Sequence, residues 1–271
     1  MSHTLHDLPS WTRFFRDAEI PILAGTAATL ELWRANEDSV DGNQIGEALS
    51  NDPLMSLKVL RHASMHRSRN VVTDTETVTA AVVMMGITPF FRTFGQQPTV
   101  QDQLADNPAA LQGLLEVLKR AARAARFALM FAAHRLDPDA AVIHHAALLH
   151  DFADMLLWCH APTLALQIAQ RQRDDTGLRS AAVQQEVLGT TLPDLEQSLM
   201  KTWRLPELLQ RITKDGPSIN AQELCVQLAM RIARHSALSW DNPAIPDDVR
   251  DICALLNIGY EPAMNLLRSV D

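Results

Sequence analysis

The sequence has 271 residues, of which 47% are hydrophobic and 21% are charged, a composition typical of a packed globular protein. This length suits one large domain, or one domain with a sizeable extension. The chain carries 24 Lys and Arg residues against 32 Asp and Glu residues, which gives a net charge of −8. Broad nucleic-acid binding needs a basic surface, so this charge argues against it.

The location of the protein is predicted from three negative signals. No run of 18 apolar residues occurs, so we expect no transmembrane helix and no membrane partner. The first residues lack a basic segment followed by an apolar one, and so do not resemble a signal peptide. The cysteines Cys159, Cys225 and Cys253 are scattered and form no CxxC pair. Together these features predict a cytoplasmic protein with buried thiols.

Capping signals mark helices in the first third of the chain. Asp52 is followed by proline, which predicts a helix start, because Asp caps helix N-termini and proline suits the first turn. Thr73 and Glu76 have the spacing of a capping box ahead of the apolar run 78–85. Gly86 is expected to end that helix.

The clearest helical periodicity lies between residues 109 and 133. One face carries apolar residues three or four positions apart, namely Leu111, Leu114, Leu118, Ala122, Ala125, Leu129 and Ala132. Lys119, Arg123 and Arg126 repeat on another face. We expect that second face to be solvated, and the alternative is an anion-binding site.

The remaining segments continue the helical pattern. Asp137 before proline predicts an N-cap, and the helix that it opens is expected to run to about His160. Further helices are predicted over about 181–202, after Pro206, over about 219–238 and over about 247–268. The turn signal Asp215-Gly216-Pro217-Ser218 predicts a soft domain boundary. Strand alternation is nearly absent, so the predicted fold class is all-α.

One string carries candidate chemistry, AALLHDFADMLL at 146–157. The adjacent His150 and Asp151 could each give one ligand to a metal ion, although three further ligands from other helices would be needed. Asp154 is four residues beyond His150 and shares its face if the helix is continuous. The alternative is structural, with both residues hydrogen-bonded to neighbouring helices. No GxGxxG, GxxxxGK[ST], GxSxG or HExxH motif occurs.

Several segments together resemble the HDOD (HD-related output domain) family, a relative of the HD-domain metal-dependent phosphohydrolases. These segments are IPILAGTAATLELW at 20–33, IGEALSNDPLMSLKVLRHAS at 45–64, TVTAAVVMMGI at 77–87, the string at 146–157, and EVLGTTLPDLEQSLMKTWRLP at 186–206. In the last segment the residues in step with the family are Glu186, Gly189, Leu199, Trp203 and Pro206.

The resemblance covers about residues 15–215, and its segments follow one another in the family's order and spacing. It implies a compact multi-helix bundle, with N-terminal helices packed on an HD-like helical core. Residues 219–271 would then form a C-terminal helical extension packed on this domain. The apolar faces of that extension could instead be covered by a second copy of the chain, giving a homodimer.

The departures from the family of catalytic HD domains concern the metal ligands. Those domains place a His on the helix before the His-Asp pair, but 109–133 contains no His and offers Arg120 and Arg123. The family's later His falls at Leu192, and the glycine after the His-Asp pair falls at Ala153. Neither a protonated cation nor leucine can ligate a divalent metal. The resemblance therefore implies a hydrolase relative without a complete ligand set, metal or cofactor.

The function that the resemblance implies is a non-catalytic signal-transduction module, which acts through protein contacts or senses a small ligand. Its partners would be signalling proteins in trans, and His150 and Asp151 would be a vestigial pair. Two alternatives stay open: a phosphohydrolase with a site rearranged around His150, Asp151 and Asp154, and a receiver of a nucleotide second messenger. Candidate ligand or partner contacts are Arg120, Arg123, Asp154 and Glu186.

Three further residues have competing interpretations. Trp203 is expected to be a core anchor. His62 is expected to lie at a helix C-terminus and stabilise it, and the alternative is a ligand contact. Trp240 could be an exposed anchor for a partner or a tryptophan packed within its own loop.

Overall fold

The computed structural model describes residues 5–66, 75–175, 177–214 and 220–270. Helices account for nearly all the regular structure in these ranges, and the one β feature there is an isolated parallel bridge between Ile22 and Thr99. The predicted all-α class is therefore confirmed. Within the described ranges, no helix combines the length and apolar character needed to cross a membrane.

The helices follow one another closely along the chain. The first nine are α1 (Leu8–Asp17), α2 (Ala24–Arg34), α3 (Gly42–Leu49), α4 (Pro53–Met65), α5 (Val78–Met85), α6 (Ile87–Phe94), α7 (Val100–Gln103), α8 (Pro108–His134) and α9 (Ala140–Leu149). They are followed by α10 (Phe152–His160), α11 (Pro162–Asp174), α12 (Ser180–Leu188), α13 (Leu192–Thr202), α14 (Glu207–Ile212), α15 (Ala221–His235), α16 (Ile245–Leu256) and α17 (Tyr260–Ser269).

The contacts divide the chain into two units, each built from two separate segments. Unit 1 consists of Met1–Val117 and Asp151–Pro206, and unit 2 consists of Leu118–His150 and Glu207–Asp271. This division runs through α8 and does not follow the predicted bounds of 15–215 and 219–271, which remain a prediction.

Two tryptophans anchor the core of unit 1, where α1 packs on α13. Trp203 is fully buried, and its Nε1 donates to the carbonyl oxygen of Arg16 at 3.1 Å, so its predicted role as a core anchor is confirmed. Trp11 is also buried and donates to the carbonyl oxygen of Leu188 at 3.0 Å. Each ring thus fills core volume while its one polar atom is satisfied.

The helices α3 and α5 pack closely in unit 1. A Cβ atom added at Gly46 would lie 2.4 Å from Cα of Thr79, so only glycine permits this approach.

The predicted helix ends in the first third of the chain can be compared with the structure. The start of α4 at Pro53 with Asp52 as its N-cap is confirmed. Gly86 ends α5 at φ 83°, also as predicted. Thr73 of the predicted capping box lies outside the described residues, and the observed cap of α5 is Thr77.

Unit 2 is organised around α9, which packs against α14 and α15, while α15 also packs against α16. The buried face of α15 consists of Cys225, Val226, Leu228, Ala229, Met230, Ile232 and Ala233. At the start of α9, the side-chain amide of Gln222 donates to Asp137 at 3.2 Å and to Asp139 at 2.8 Å. A helix of the predicted C-terminal extension therefore contacts a helix from within residues 15–215.

Two predicted helices are interrupted at residues with a left-handed backbone. The helix predicted over 181–202 is wrong, because Gly189 at φ 70° ends α12 and α13 begins at Leu192. The helix predicted over 247–268 is likewise divided, at Asn257 with φ 54° and ψ 47°. Glycine and asparagine tolerate this conformation better than other residues, which is why the breaks fall there.

Candidate functional site

The His-Asp pair lies at a junction between helices and not within one. His150 follows the last residue of α9, and Asp151 precedes the first residue of α10. The carbonyl oxygen of Asp151 accepts from the backbone N–H of Asp154 at 3.1 Å and of Met155 at 3.2 Å, which starts the new helix. The predicted continuous helix to about His160 is wrong, and with it the argument that His150 and Asp154 share one helical face.

The start of α9 also differs from the prediction. Its N-cap position is Asp139 and not Asp137, and the side chain of Asp137 accepts from the backbone N–H of Asp139 at 2.9 Å. Asp137 therefore stabilises the turn that leads into the helix. His150, Asp151 and Asp154 are all half-buried.

Arg123 is buried, with 7% of its surface exposed, although its periodicity predicted a solvated face. Its Nη1 donates to the carbonyl oxygen of Ala233 at 3.2 Å. The guanidinium also lies over the rings of Phe127 at 5.2 Å and Trp240 at 5.6 Å. A carbonyl acceptor and two aromatic faces compensate for its lost hydration, so the charge can be buried. The solvated-face prediction is thus wrong for Arg123.

The other two residues of that predicted face, Lys119 and Arg126, are exposed, as expected. Trp240 is half-buried and stacks on Arg123, which favours the interpretation as a tryptophan packed within unit 2 over that of an exposed anchor. The remaining candidate contact on α8, Arg120, is half-buried.

Glu186 has a partner of its own on a neighbouring helix of unit 1. Its carboxylate lies 2.5 Å from Nη2 of Arg171, and the two side chains are 62% and 35% exposed. An ion pair this accessible contributes about 0–1 kcal/mol. This contact joins α12 to α11.

The His-Asp pair keeps two possible donors, but the family's later His position provides none. Leu192 at that position is buried in the first turn of α13. Ala153, at the position of the family's glycine, is buried in α10. Over the described ranges, no group of three or more His, Cys, Asp or Glu side chains is placed to hold a metal ion. Within these ranges, His150 and Asp151 are thus not part of such a three-ligand group.

Two histidines of α9 are buried in unit 2. The pKa of His144 is lowered to about 4, mainly by burial and in smaller part by the neighbouring His145. Burial also lowers the pKa of His145, although its Nδ1 donates to the carbonyl oxygen of Ala141 at 2.7 Å. Both side chains are thus held neutral at physiological pH. The apolar residues on both sides of this pair were the only sequence signal of its burial.

A charged cluster in unit 2 was missed by the sequence reasoning. Asp248 is 1% exposed, and its Oδ1 accepts from Nε and Nη2 of Arg231 at 3.1 and 2.6 Å. Its Oδ2 lies 2.6 Å from Nδ1 of His235. Asp251 accepts from Nη1 of the same arginine at 2.8 Å. The sequence signal that could have found this cluster is the spacing of its members. Arg231 and His235 are four residues apart on α15, and Asp248 and Asp251 are three apart on α16, so each pair shares one helical face.

The all-helical core, with a His-Asp pair at a junction between two helices, defines the class of HD-related domains. The sequence model of the HDOD domain matches residues 20–215. This match covers more than half of the chain, and the protein belongs to the HDOD family. No curated protein sequence matches the chain.

Solved structures with the same fold come from several bacteria. The MmoQ response regulator from Methylococcus capsulatus is 19% identical with a TM-score of 0.66, and the alignment covers 92% of this chain and 98% of that one. A virulence factor from Campylobacter jejuni is 14% identical with a TM-score of 0.66, covering 95% and 91%. An HDOD domain protein of unknown function from Geobacter sulfurreducens is 15% identical with a TM-score of 0.50, covering 96% and 93%.

Proposed function

We propose that this protein is a non-catalytic signalling module, which acts by contacting other proteins or by sensing a small ligand. The observation that carries the proposal is the burial of Arg123. It lies on α8, in the segment 109–133 where the resemblance places the first His ligand of catalytic HD domains. Its guanidinium is used to join α8 to α15 and to the loop of Trp240.

The apolar residue at the family's later His position supports the same proposal. A metal-activated water needs several fixed ligands and one open coordination position. Leu192 contributes no donor atom and is packed in the core of unit 1. A binding module needs no such ligand set, only a surface or a pocket.

The family and its structural relatives point towards signalling. HDOD domains are output modules, and one protein of the same fold is described as a response regulator. We propose that the partners are signalling proteins that meet this chain in trans in the cytoplasm. A nucleotide second messenger is the alternative ligand, because the HDOD family is a relative of the HD-domain phosphohydrolases.

A hydrolysis screen tests the non-catalytic part of the proposal. The untagged protein is incubated with a phosphodiester and with nucleotides in the presence of manganese, iron or magnesium, and His150→Ala serves as the matched control. We expect no turnover above the metal-containing buffer. Turnover that disappears in His150→Ala would establish the hydrolase alternative.

Metal content and nucleotide binding separate the remaining alternatives. Elemental analysis of protein purified without added metal should show no transition metal that depends on His150. One equivalent that is lost in His150→Ala would contradict the proposal. Calorimetric titration with cyclic mono- and dinucleotides distinguishes a second-messenger receiver, which binds one of them saturably, from a module that acts only through protein contacts.

A further inference from the structure

Two histidines lie one helical turn apart at the C-terminal end of α4 in unit 1. The backbone N–H of His66 donates to the carbonyl oxygen of His62 at 3.0 Å, so the helical turn between them is intact. Their imidazole rings are stacked, with centroids 4.0 Å apart and planes 24° from parallel. This places both rings on one face of the helix.

The hydrogen bonding of His66 fixes which of its nitrogens can bind a ligand. Its Nδ1 lies 2.9 Å from the carbonyl oxygen of His62. A carbonyl oxygen can only accept, so Nδ1 carries the hydrogen and Nε2 of the neutral ring carries a free lone pair. Metal-ligating histidines are commonly oriented by this kind of bond from the other ring nitrogen to a carbonyl group. His66 is exposed, so the lone pair is accessible.

The ring of His62 is held by packing. The ring of Phe94 meets it edge to face, with centroids 5.3 Å apart and planes 76° from parallel. The neighbouring Arg61 donates to the carbonyl oxygen of Ala18 at 2.8 Å and lies over the ring of Trp203 at 5.5 Å. Because these contacts hold the guanidinium, the face shared by the two histidines is not occupied by it.

We propose that His62 and His66 form a two-imidazole binding site for a divalent transition-metal ion, with copper bound more tightly than zinc. Imidazole suits both ions, and copper precedes zinc in the order of affinities. Two nitrogens bound at about 2.0–2.1 Å to one ion lie at most about 4 Å apart. Side chains four residues apart on a helix are close enough to meet this limit, and the two rings turn from their stacked arrangement when both bind the ion. The spacing is that of the two histidines in HExxH metal sites.

The site is separate from the His-Asp pair and does not depend on the proposed function. Two protein ligands leave the other coordination positions to water or to a donor from another molecule. The bound ion is therefore exchangeable, in contrast to the closed ligand set of a structural metal site.

Copper titration of the full-length, untagged chain tests the proposal. The chain is expressed from Met1, and all variants carry His3→Ala, because a histidine at this distance from the terminal amine can bind copper together with it. Binding is followed by calorimetry and by the electron paramagnetic resonance spectrum of copper. We expect one equivalent bound by two nitrogens, and at least about tenfold weaker binding in His66→Ala, since even loss of an orienting group costs about 10- to 100-fold.

The control is His134→Ala, which removes an exposed histidine at the end of α8 and should leave the affinity unchanged. His62→Ala should weaken copper binding as His66→Ala does. His62→Ala also removes a packing contact with Phe94, so the decisive variant is His66→Ala, which changes an exposed residue. Unchanged affinity and spectrum in His66→Ala would overturn the proposal. An equal loss in His134→Ala would also overturn it.

Discussion

Nδ1 of His235 lies 2.6 Å from Oδ2 of Asp248, a carboxylate that is almost completely buried between α15 and α16. The other carboxylate oxygen accepts twice from Arg231. A buried charge is tolerated only when it is paired and hydrogen-bonded, and here both oxygens meet this requirement. Removing one of the partners should therefore cost more than the contact itself contributes.

We predict that Arg231→Met lowers the free energy of unfolding by about 1–3 kcal/mol, because Asp248 stays buried and loses two hydrogen bonds. Urea denaturation measures the change. The matched control is Arg250→Met, since Arg250 pairs with Asp247 on the surface of the same unit and both side chains are mostly exposed. That change should cost less than about 1 kcal/mol. Equal effects would show that the burial of Asp248 has no energetic consequence.

His144 should make the stability of the protein depend on pH. Its pKa in the folded chain is about 4, and its ordinary pKa is about 6.5. As the pH falls below 6.5, the unfolded chain takes up a proton at this residue and the folded chain does not, until the pH approaches 4. The contribution of His144 to stability is thus complete above pH 6.5 and is lost on acidification, by about 3 kcal/mol at most.

His144→Gln should therefore flatten the decline of stability between pH 6.5 and pH 4, as measured by denaturation at a series of pH values. His134→Gln removes an exposed histidine of the same unit and should leave the decline unchanged. His145 retains its own lowered pKa in both variants, so part of the decline should persist. A pH profile of His144→Gln identical to that of the unsubstituted protein would contradict the assignment.

Asp52 connects α4 to the start of α2. Its Oδ1 accepts from the backbone N–H groups of Leu54 and Met55, both at 3.0 Å, and its Oδ2 accepts from the hydroxyl of Thr26 at 2.6 Å. Burial nevertheless raises the pKa of this carboxyl, because desolvation outweighs the hydrogen bonds. Asp52 therefore combines a helix cap with a tertiary contact.

Asp52→Ala should lower the free energy of unfolding by about 2–4 kcal/mol. The substitution removes a helix cap and also leaves buried donors without an acceptor. Asp41→Ala is the comparison, because Asp41 caps α3 through bonds within its own turn and is exposed. It should cost about 0.5–2 kcal/mol. Thermal denaturation of the two variants side by side measures the difference, and a smaller loss for Asp52→Ala would show that the contact with Thr26 contributes nothing.

The sequence was sufficient for the all-helical class and for helices with clear ends. The helix predicted over 109–133 is observed as Pro108–His134, because its periodicity is long and its flanks are polar. The break at His150 and Asp151 could not be predicted, since AALLHDFADMLL contains no glycine or proline and its apolar spacing continues through the break. The burial of Arg123 was also missed, because its acceptor on Ala233 and its ring partner Trp240 lie more than one hundred residues away in the sequence.

His150→Ala tests whether the His-Asp pair is structural. His150 is half-buried, so its removal should leave a hydrogen-bond partner unsatisfied. Such a loss lowers the free energy of unfolding by about 1–3 kcal/mol. We therefore expect a lower melting temperature in a thermal scan. An unchanged melting temperature combined with a lost cellular response would contradict this expectation and would assign His150 to a functional site.

Truncation after Gly216 tests whether the C-terminal helices belong to the folded core. It removes α15, whose buried face packs against α9, and also removes α16 and α17. Burial of five apolar side chains contributes on the order of 8–15 kcal/mol before entropy costs, so the exposed face of α9 should make the fragment aggregate. Sedimentation and size-exclusion chromatography measure the outcome. A soluble, monomeric fragment of undiminished stability would show that residues 219–271 are an independent module, because α9 would then need no cover from α15.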